Sequence, residues 1–284
     1  MFDSIAPGYD AFNHLTSLGA DRRWRRLALR EIVGARVLDE ACGTGDFSLS
    51  IARHLAKQHN GSRKGVEKSR EELHGSWSVV GVDISEGMLD VMRKKVDAAM
   101  LTGAVDAPAA STSPVSSSEG ERQACGISQP ADKAACKLAS EQAGGELPAR
   151  ISAELGDCCA LRFTDASFDS VTVAFGVRNF EDREKALAEV LRVLRPGGRF
   201  VMLELGIPRN RFVRACYKFY FTRIMPLIGA GISGDRAAYR YLPASVLNFP
   251  TPEEWLATMR AAGFAIVRHR SLSLGICNLF VGEK

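Results

Sequence analysis

Residues 35–46 read ARVLDEACGTGD, an apolar run that becomes acidic and then rich in glycine. The apolar part, 35–42, has the length and composition of a buried strand, and the residues at 47–56 have helical character. Gly43 and Gly45 remove side chains at a place where the backbone must pass close to a ligand. A strand, a glycine turn and a helix in this order predict the first unit of a parallel sheet.

The rest of the chain continues this alternation of apolar runs and amphipathic helices. Further strands are predicted at 77–85, 151–157, 170–176 and 199–206, helices at 86–96, 181–194 and 252–262, and a final edge pair of strands at 265–270 and 276–282. This order predicts an α/β fold, with a mostly parallel sheet that carries helices on both faces. Ligands of such sheets bind beyond the carboxyl ends of the strands, so the residues that follow each strand are the candidates for a site.

The composition is that of an ordinary soluble protein. Of the 284 residues, 46% are hydrophobic and 25% are charged, and the net charge of +4 is too small to indicate a nucleic-acid partner. The seven cysteines form no CxxC pair, so neither a disulfide scaffold nor a metal site of the usual zinc spacing is predicted. No apolar run is long enough to span a bilayer and the N-terminal MFDSIAPGYD lacks the pattern of a signal peptide, which predicts a cytoplasmic location.

One long segment differs from the rest of the chain. Residues 98–150 contain no aromatic side chain, and more than half of them are Ala, Ser, Gly or Pro. Such a segment buries too little apolar surface to offset its ordering entropy, so we predict a flexible surface insertion. The polar stretch 57–75 is predicted to be a loop extension. With these two segments set aside, 1–284 is predicted to form a single α/β domain.

Three successive strand ends carry residues suited to a nucleoside. After the first strand come Gly43 and Gly45, followed by a helix whose free N–H groups suit an anion such as a carboxylate. Asp83 ends the second strand and is placed to accept hydrogen bonds from both ribose hydroxyls. After the third strand, Asp157 is placed to accept a hydrogen bond from the exocyclic amine of adenine, and the backbone of Cys158 to contact a ring nitrogen. Together these positions predict a nucleoside site.

Two nucleoside cofactors compete for this site. A dinucleotide requires the pattern GxGxxG, but Ser48 stands where the third glycine belongs. Asp46 would also repel a pyrophosphate, whereas the ammonium group of an amino-acid-bearing nucleoside would attract it. The residues therefore favour S-adenosyl-L-methionine over NAD.

Several motifs also resemble known methyltransferases. The loop DEACGTGD at 39–46, VVGVDIS at 79–85 and the run from 174 to 200 resemble class I S-adenosylmethionine-dependent methyltransferases. A more specific resemblance, to the ubiquinone/menaquinone biosynthesis C-methyltransferase family, is carried by MFDSIAPGYD (1–10), DRRWRR (21–26), FGVRN (175–179) and AYRYLPASVLNFP (238–250). It implies one Rossmann-like class I methyltransferase domain with a seven-stranded sheet, and methylation of a prenylated quinol: demethylmenaquinol or a 2-polyprenyl methoxybenzoquinol.

The resemblance also implies roles for individual residues. The cofactor contacts of the family fall on Thr44, Asp83, Asp157 and Cys158, and a further contact, usually a serine, falls on Ala174. Tyr9 and Asp10 are expected to fold over the cofactor, although an ordinary N-terminal turn is the alternative. Tyr239 and Tyr241 either line the acceptor cavity or pack in the core.

Methylation of a ring carbon requires that a neighbouring phenol ionise, and a cation beside the phenolate favours this. Arg178, just after the fourth strand, is the candidate, and no metal is required. The alternative is that Arg178 only pairs with Glu181 or Asp182 and holds its loop. His14 and His269 are further candidate bases, although lone histidines more often have packing roles.

A basic and aromatic stretch at 208–232 has two interpretations. As a helix it either shelters a prenyl chain and rests on an anionic membrane surface, or packs on its own domain with a solvated basic face. Three functions stay open: a quinol C-methyltransferase, a methyltransferase for another small apolar acceptor, and a non-catalytic scaffold that binds the cofactor within a quinone-synthesis complex. The sequence leaves the oligomeric state open.

Overall fold

The computed structural model describes Asp3, Ala6 and residues 9–61, 77–102, 150–224 and 245–284. Its α-helices are α1 (Tyr9–Thr16), α2 (Ala20–Ala28), α3 (Asp46–Gly61), α4 (Glu86–Leu101), α5 (Arg183–Val193), α6 (Arg211–Phe219) and α7 (Pro252–Ala262). Its strands are β1 (Arg36–Glu40), β2 (Ser78–Asp83), β3 (Ile151–Leu155), β4 (Phe168–Ala174), β5 (Leu194–Leu205), β6 (Ile266–Leu272) and β7 (Cys277–Glu283).

The seven strands form one sheet in the order β3-β2-β1-β4-β5-β7-β6. Strands β1 to β5 are parallel, whereas β7 lies antiparallel between β5 and β6. The predicted α/β fold with its mostly parallel sheet is confirmed, and the predicted final pair occupies one edge. The strand order reverses between β1 and β4, which is where an open sheet of this kind leaves a crevice for ligands.

Two apolar layers cover the sheet because alternate side chains of each strand point to opposite faces. Val37 and Val201 lie in the layer that contains Trp24 of α2 and residues of α3 and α4. Leu38 and neighbouring strand residues lie in the layer of α5 and α7, which contains the fully buried Trp255. The sheet is therefore held rigidly from both sides, and its carboxyl edge presents a fixed set of side chains.

Three element boundaries differ from the predicted ones by more than two residues. Helix α3 continues to Gly61 and α4 to Leu101, so the first residues of the predicted loop 57–75 and insertion 98–150 are helical. Burial of Val96 and Ala99 against the core favours this extension of α4. Strand β5 begins at Leu194, and the Pro-Gly-Gly at 196–198 lies inside it.

The Pro-Gly-Gly segment forms an irregularity in the pairing of β4 with β5. Phe168 pairs with Leu194, but Ser170 pairs with Arg199, so β5 carries extra residues at this point. Gly197 has φ of 75°, which favours glycine. The segment therefore interrupts the regular ladder without ending the strand, as a β-bulge does.

Residues 62–76, 103–149 and 225–244 lie outside the described residues, and with them most of the two predicted insertions and both Tyr239 and Tyr241. The single-domain assignment stays a prediction for this reason. In the ranges that are described, no helix has the combined length and hydropathy needed to cross a bilayer.

Candidate active site

A cavity of about 480 Å³ opens at the carboxyl ends of β1, β2, β3 and β4. Its lining includes Gly43, Asp83, Asp157 and Cys158, four of the predicted cofactor contacts, together with Tyr9 of α1. These residues are far apart in sequence and meet because the carboxyl ends of parallel strands share one edge of the sheet.

Asp83 is held in place by two backbone amides. Its Oδ2 accepts a hydrogen bond from Gly43 N at 2.8 Å, and its Oδ1 accepts one from Ser85 N at 2.9 Å. Burial raises the pKa of Asp83, and the amide hydrogen bonds from Ser85 and Gly43 oppose this shift. A carboxylate has about four acceptor positions, so Asp83 keeps acceptor capacity for a ligand in the cavity.

The end of β3 places a second carboxylate on the cavity wall. Asp157 Oδ1 accepts a hydrogen bond from Cys159 N at 2.8 Å, which closes the turn around Cys158. Burial raises the pKa of the Cys158 thiol strongly, so the side chain stays neutral. The side chain of Cys158 therefore packs in the interior, and the backbone of Cys158 is the part suited to contact a ligand.

The two glycines of the loop after β1 have different roles. Gly43 has φ of 56° and open space where a side chain would stand, on the wall of the cavity. Gly45 has φ of 78°, and a Cβ there would lie 2.4 Å from Met92 Cγ of α4. Gly43 thus keeps the cavity open, whereas Gly45 allows the loop to pack against α4.

Thr44 and Asp10 join the loop after β1 to the N-terminal helix. The buried Thr44 donates its Oγ1 hydrogen bond to Asp10 Oδ1, and Lys95 Nζ contacts both Asp10 Oδ2 and, at 2.7 Å, Asp46 Oδ1. These contacts hold α1 against the loop after β1, and the expectation that Tyr9 and Asp10 fold over the cofactor stays a prediction. Lys95 was not predicted, because nothing in the sequence of α4 distinguishes it from its neighbours Arg93 and Lys94.

Asp46 lies at the centre of a cluster of charges. Burial would raise its pKa, but the hydrogen bond from Lys95 and the charges of Lys95, Arg25 and His14 hold the pKa of Asp46 below its usual value. His14 bridges Asp21 at 2.8 Å and Asp46 at 3.4 Å. The charge of Asp46 is therefore already balanced by cations of the chain itself. This balance weakens the attraction that the sequence predicts between Asp46 and the ammonium group of a ligand.

A second cavity, of about 360 Å³, lies beside the first and is mainly apolar. Trp24, Leu205 and Ile276 are among its walls, as are Val213 and Tyr217 of α6 and Tyr220, the first residue after that helix. Tyr9 and Phe175 line both cavities. Molecules bound in the two cavities would meet at these two side chains.

Phe175 occupies a strained backbone conformation at this junction. Its φ of 64° is uncommon for a residue with a side chain, and such strain concentrates at functional sites. Three contacts hold it: Arg178 Nη1 donates to the Phe175 carbonyl, Phe175 N donates to the Leu203 carbonyl at 2.8 Å, and the Trp24 ring lies edge-on at 6.1 Å from the Phe175 ring.

Arg178 lines the second cavity and is paired with Glu204 at the end of β5. Its Nη1 lies 2.6 Å from Glu204 Oε1, and its backbone N donates to Glu204 Oε2 at 3.1 Å. The alternative interpretation, in which Arg178 pairs with an acid and holds its loop, named Glu181 or Asp182, whereas the structure places Glu204 beside Arg178. Asp182 instead caps α5 by accepting a hydrogen bond from Lys185 N.

The candidate base His269 lines neither cavity. His269 is on the edge strand β6, where its ring stacks on Phe280 and its Nε2 lies 2.9 Å from Asn278 Oδ1. Ala174, where the resemblance implied a missing serine, lines the first cavity. Tyr239 and Tyr241 are not described.

Comparison with known proteins identifies the family. The model of the ubiE/COQ5 methyltransferase family matches residues 1–128 and 100–284. The chain belongs to the ubiE/COQ5 methyltransferase family.

Two relatives show how closely the chain matches other members of this family. The ubiquinone/menaquinone biosynthesis C-methyltransferase UbiE of Geobacter sulfurreducens is 40% identical, over 100% of this chain and 87% of that protein. The demethylmenaquinone methyltransferase of Deinococcus radiodurans is 37% identical, over 100% of this chain and 91% of that protein. As a member of the ubiE/COQ5 family, the protein is a methyltransferase.

Solved structures agree on the fold. A SAM-dependent methyltransferase from Thermotoga maritima superposes with a TM-score of 0.55 at 16% identity, covering 100% of this chain and 97% of that one. The [4+2]-cyclase SpnF superposes with a TM-score of 0.52 at 17% identity, covering 94% and 82%. One fold therefore serves more than one reaction, and the site has to decide the chemistry.

S-adenosyl-L-methionine is the cofactor of this methyltransferase family. The first cavity fits a nucleoside of this kind, because Asp83 keeps acceptor positions for ribose and Gly43 leaves open space beside it. A smaller hollow that adjoins it is lined by Asp39, Thr44 and Arg25, polar groups suited to an amino-acid group. Burial raises the pKa of Asp39 to about 6 against the hydrogen bonds from Ser48 and Thr172 that lower it.

Proposed function

We propose that this methyltransferase transfers a methyl group to a ring carbon of a prenylated quinol. The observation that carries the proposal is the shared wall of the two cavities at Tyr9 and Phe175. A polar cavity suited to a nucleoside and an apolar cavity suited to a prenylated ring would bring donor and acceptor together there, and such positioning lowers the barrier.

The chain binds the cofactor at three strand ends in this proposal. Asp83 accepts hydrogen bonds from the ribose hydroxyls, Asp157 accepts one from the adenine amine, and the backbone of Cys158 contacts a ring nitrogen. Gly43 and Thr44 border the amino-acid end, and Gly45 acts on it indirectly through the shape of the loop. When bound, S-adenosyl-L-methionine supplies a methyl group on a positively charged sulfur.

Arg178 acts on the acceptor. Its guanidinium lines the apolar cavity and stays charged, so it stabilises negative charge on a ring oxygen in a site of low dielectric. Glu204 orients Arg178 through their ion pair. The hydrogen bond from Arg178 to the Phe175 carbonyl holds Phe175 as part of the wall of the acceptor cavity. Tyr9 and Asp10 close the site from α1, with Asp10 acting through Thr44 and Lys95. Tyr239 and Tyr241 stay predicted acceptor contacts.

The test of this function is a methyl-transfer assay with a short-chain demethylmenaquinol and, in parallel, a short-chain 2-prenyl methoxybenzoquinol. Transfer to either ring supports the proposal and names the acceptor. Cofactor binding is measured separately by calorimetry. Binding of S-adenosyl-L-methionine without transfer to either quinol would contradict the proposal and favour a scaffold or another acceptor.

We also propose that the outer face of α6 meets an anionic membrane surface, from which a prenylated substrate would enter. Phe212 and Phe219 are 77% and 61% exposed, and Arg211 and Lys218 lie beside them on the exposed side of the helix. Val213 of the same helix lines the apolar cavity. Helix α6 thus separates the cavity from a surface that is apolar and cationic, as an interfacial helix is.

Co-sedimentation with anionic liposomes tests this contact. Binding that weakens with added salt, and that Phe212→Ser with Phe219→Ser removes, supports it, because salt screens the cationic residues. Absence of co-sedimentation at low salt would reject it.

A further inference from the structure

Asp3, near the start of the chain, contacts the beginning of α4. Its Oδ1 accepts hydrogen bonds from the Ser85 hydroxyl at 2.7 Å and from Gly87 N at 2.8 Å. The hydrogen bond from Ser85, followed by that from Gly87, lowers the pKa of Asp3, so the carboxylate is charged at neutral pH. A negative charge is favourable here, because the first N–H groups of a helix have no partner within the helix and carry the positive end of its dipole.

Gly87 leaves room for this contact. A Cβ at position 87 would lie 2.9 Å from Asp3 Oδ1 and 3.1 Å from Asp3 Cα, which is too close unless Asp3 moves. Ala6 adds a second contact with the same helix, because it is buried in one apolar cluster with Met88. The start of α4 therefore supplies Asp3 with both donors and space.

Ser85 joins Asp3 to the cofactor cavity. Its hydroxyl donates to Asp3, while its backbone N donates to Asp83 Oδ1 at 2.9 Å. Ser85 is buried, and its hydroxyl also caps α4 by accepting a hydrogen bond from Met88 N. Asp83 is among the described residues that line the cavity, and Asp3 is not. Asp3 thus contacts, from outside the cavity, the turn that holds Asp83.

We propose that Asp3 is a positioning residue for the cofactor: by holding the Ser85 hydroxyl and the Gly87 amide, it fixes the turn that orients Asp83 toward the ribose. Without Asp3 this turn keeps more freedom, and binding of the cofactor has to order it, which lowers the affinity. The inference rests on the proposed role of Asp83 at the ribose hydroxyls.

Calorimetric titration with S-adenosyl-L-methionine, in the absence of a quinol, compares Asp3→Ala with the wild type. We expect the affinity to fall about fivefold, as for the loss of one hydrogen bond. Glu86→Gln is the matched control, because Glu86 is an acid in the first turn of the same helix but pairs with Arg93. Its affinity should stay within about twofold of the wild type. Asp3→Ala with an affinity as close to the wild type as that of the control would overturn the inference.

Gly87→Ala separates positioning from stability. Alanine favours a helix more than glycine does, so the Tm should be equal to or above that of the wild type, whereas the new Cβ displaces Asp3. Weaker cofactor binding without a loss of Tm supports the inference. Wild-type affinity in Gly87→Ala, or weaker binding only together with a lower Tm, would overturn it.

The Asp83→Ala background tests whether Asp3 acts through Asp83. In that background Asp3→Ala should change the affinity by less than about twofold, because coupled residues are not additive. An undiminished effect would contradict the inference.

Failure of the proposed site has a different signature. Asp83→Ala that binds the cofactor as tightly as the wild type would contradict the proposed role of Asp83, and the inference with it. Weaker binding by Asp83→Ala but not by Asp3→Ala would contradict the inference alone. Neither measurement uses a quinol, so a failure of the methyl-transfer assay leaves both results unaffected.

Discussion

Glu204, which has no exposed surface, holds Arg178 at two points: its Oε1 lies 2.6 Å from the guanidinium Nη1, and its Oε2 accepts the Arg178 backbone N–H at 3.1 Å. The contact joins the end of β5 to the loop after β4, two strands that are neighbours in the sheet. It fixes the position of the arginine that lines the apolar cavity.

Removal of Glu204 should therefore cost much stability. Glu204→Ala leaves a buried guanidinium without its carboxylate, and we expect the free energy of unfolding to fall by about 3–5 kcal/mol. Urea denaturation measures this. Glu253→Ala is the control, because Glu253 pairs with Arg209 with both side chains more than half exposed, and its effect should stay within about 0.5 kcal/mol. Equal effects of the two substitutions would contradict the role of burial.

Asp83 and Arg178 should separate binding from turnover. Asp83→Ala removes the acceptor for ribose and the ligand of the Gly43 amide, so we expect the affinity for S-adenosyl-L-methionine to fall by about 100-fold. Arg178→Ala should change this affinity little and slow methyl transfer. Calorimetry and a single-turnover assay measure the two quantities. Equal losses of cofactor affinity would show that the assigned roles are wrong.

Asp10 should hold helix α1 against the loop after β1. Asp10→Ala removes the acceptor of Thr44 and a partner of Lys95, so we expect faster proteolytic cleavage within the N-terminal residues and weaker cofactor binding. Asp90→Ala removes an exposed carboxylate of α4 that pairs with Arg93 at 2.8 Å, and serves as the control. The role fails if the two variants are cleaved at the same rate.

Glu40 should make the stability depend on pH. Burial, together with the charges of Asp39 and Glu189, raises its pKa well above the ordinary value, and both its oxygens lack partners among the described residues. The folded state therefore binds a proton that the unfolded state releases above about pH 4.5. The contribution of Glu40 to the free energy of unfolding is therefore fully present below that pH. It is lost as the pH rises toward the pKa of Glu40 in the folded state.

Replacement of Glu40 by leucine should remove this loss. The stability difference between Glu40→Leu and the wild type should grow with pH above about 4.5, by up to about 1.4 kcal/mol per pH unit. Denaturation at pH 4.5 and pH 7.5 measures the difference. A difference that shrinks as the pH rises would show that Glu40 is charged and stabilised in the folded protein.

The sequence predicts which residues lie at the carboxyl ends of the strands, but not which of them contact one another. Asp83 and Asp157 were found because the carboxyl ends of parallel strands meet at one edge. Glu204 also lies at the end of a strand, yet its contact with Arg178 depends on β4 and β5 being adjacent, because the two partners are 26 positions apart in the sequence. The role of Gly45 could not be predicted either, because Met92, against which Gly45 packs, belongs to the distant helix α4.

The order of apolar runs, glycine turns and strand-end acids determined by itself the α/β class, the edge of the sheet that carries the site and the kind of nucleoside it suits. Those features depend on local periodicity and on the backbone freedom of glycine, which are properties of short segments. Only the tertiary structure decided that Tyr9 and Phe175 line both cavities and that Glu204 holds Arg178. These relationships join residues from distant segments, and the packing of helices on the twisted sheet decides which of them meet.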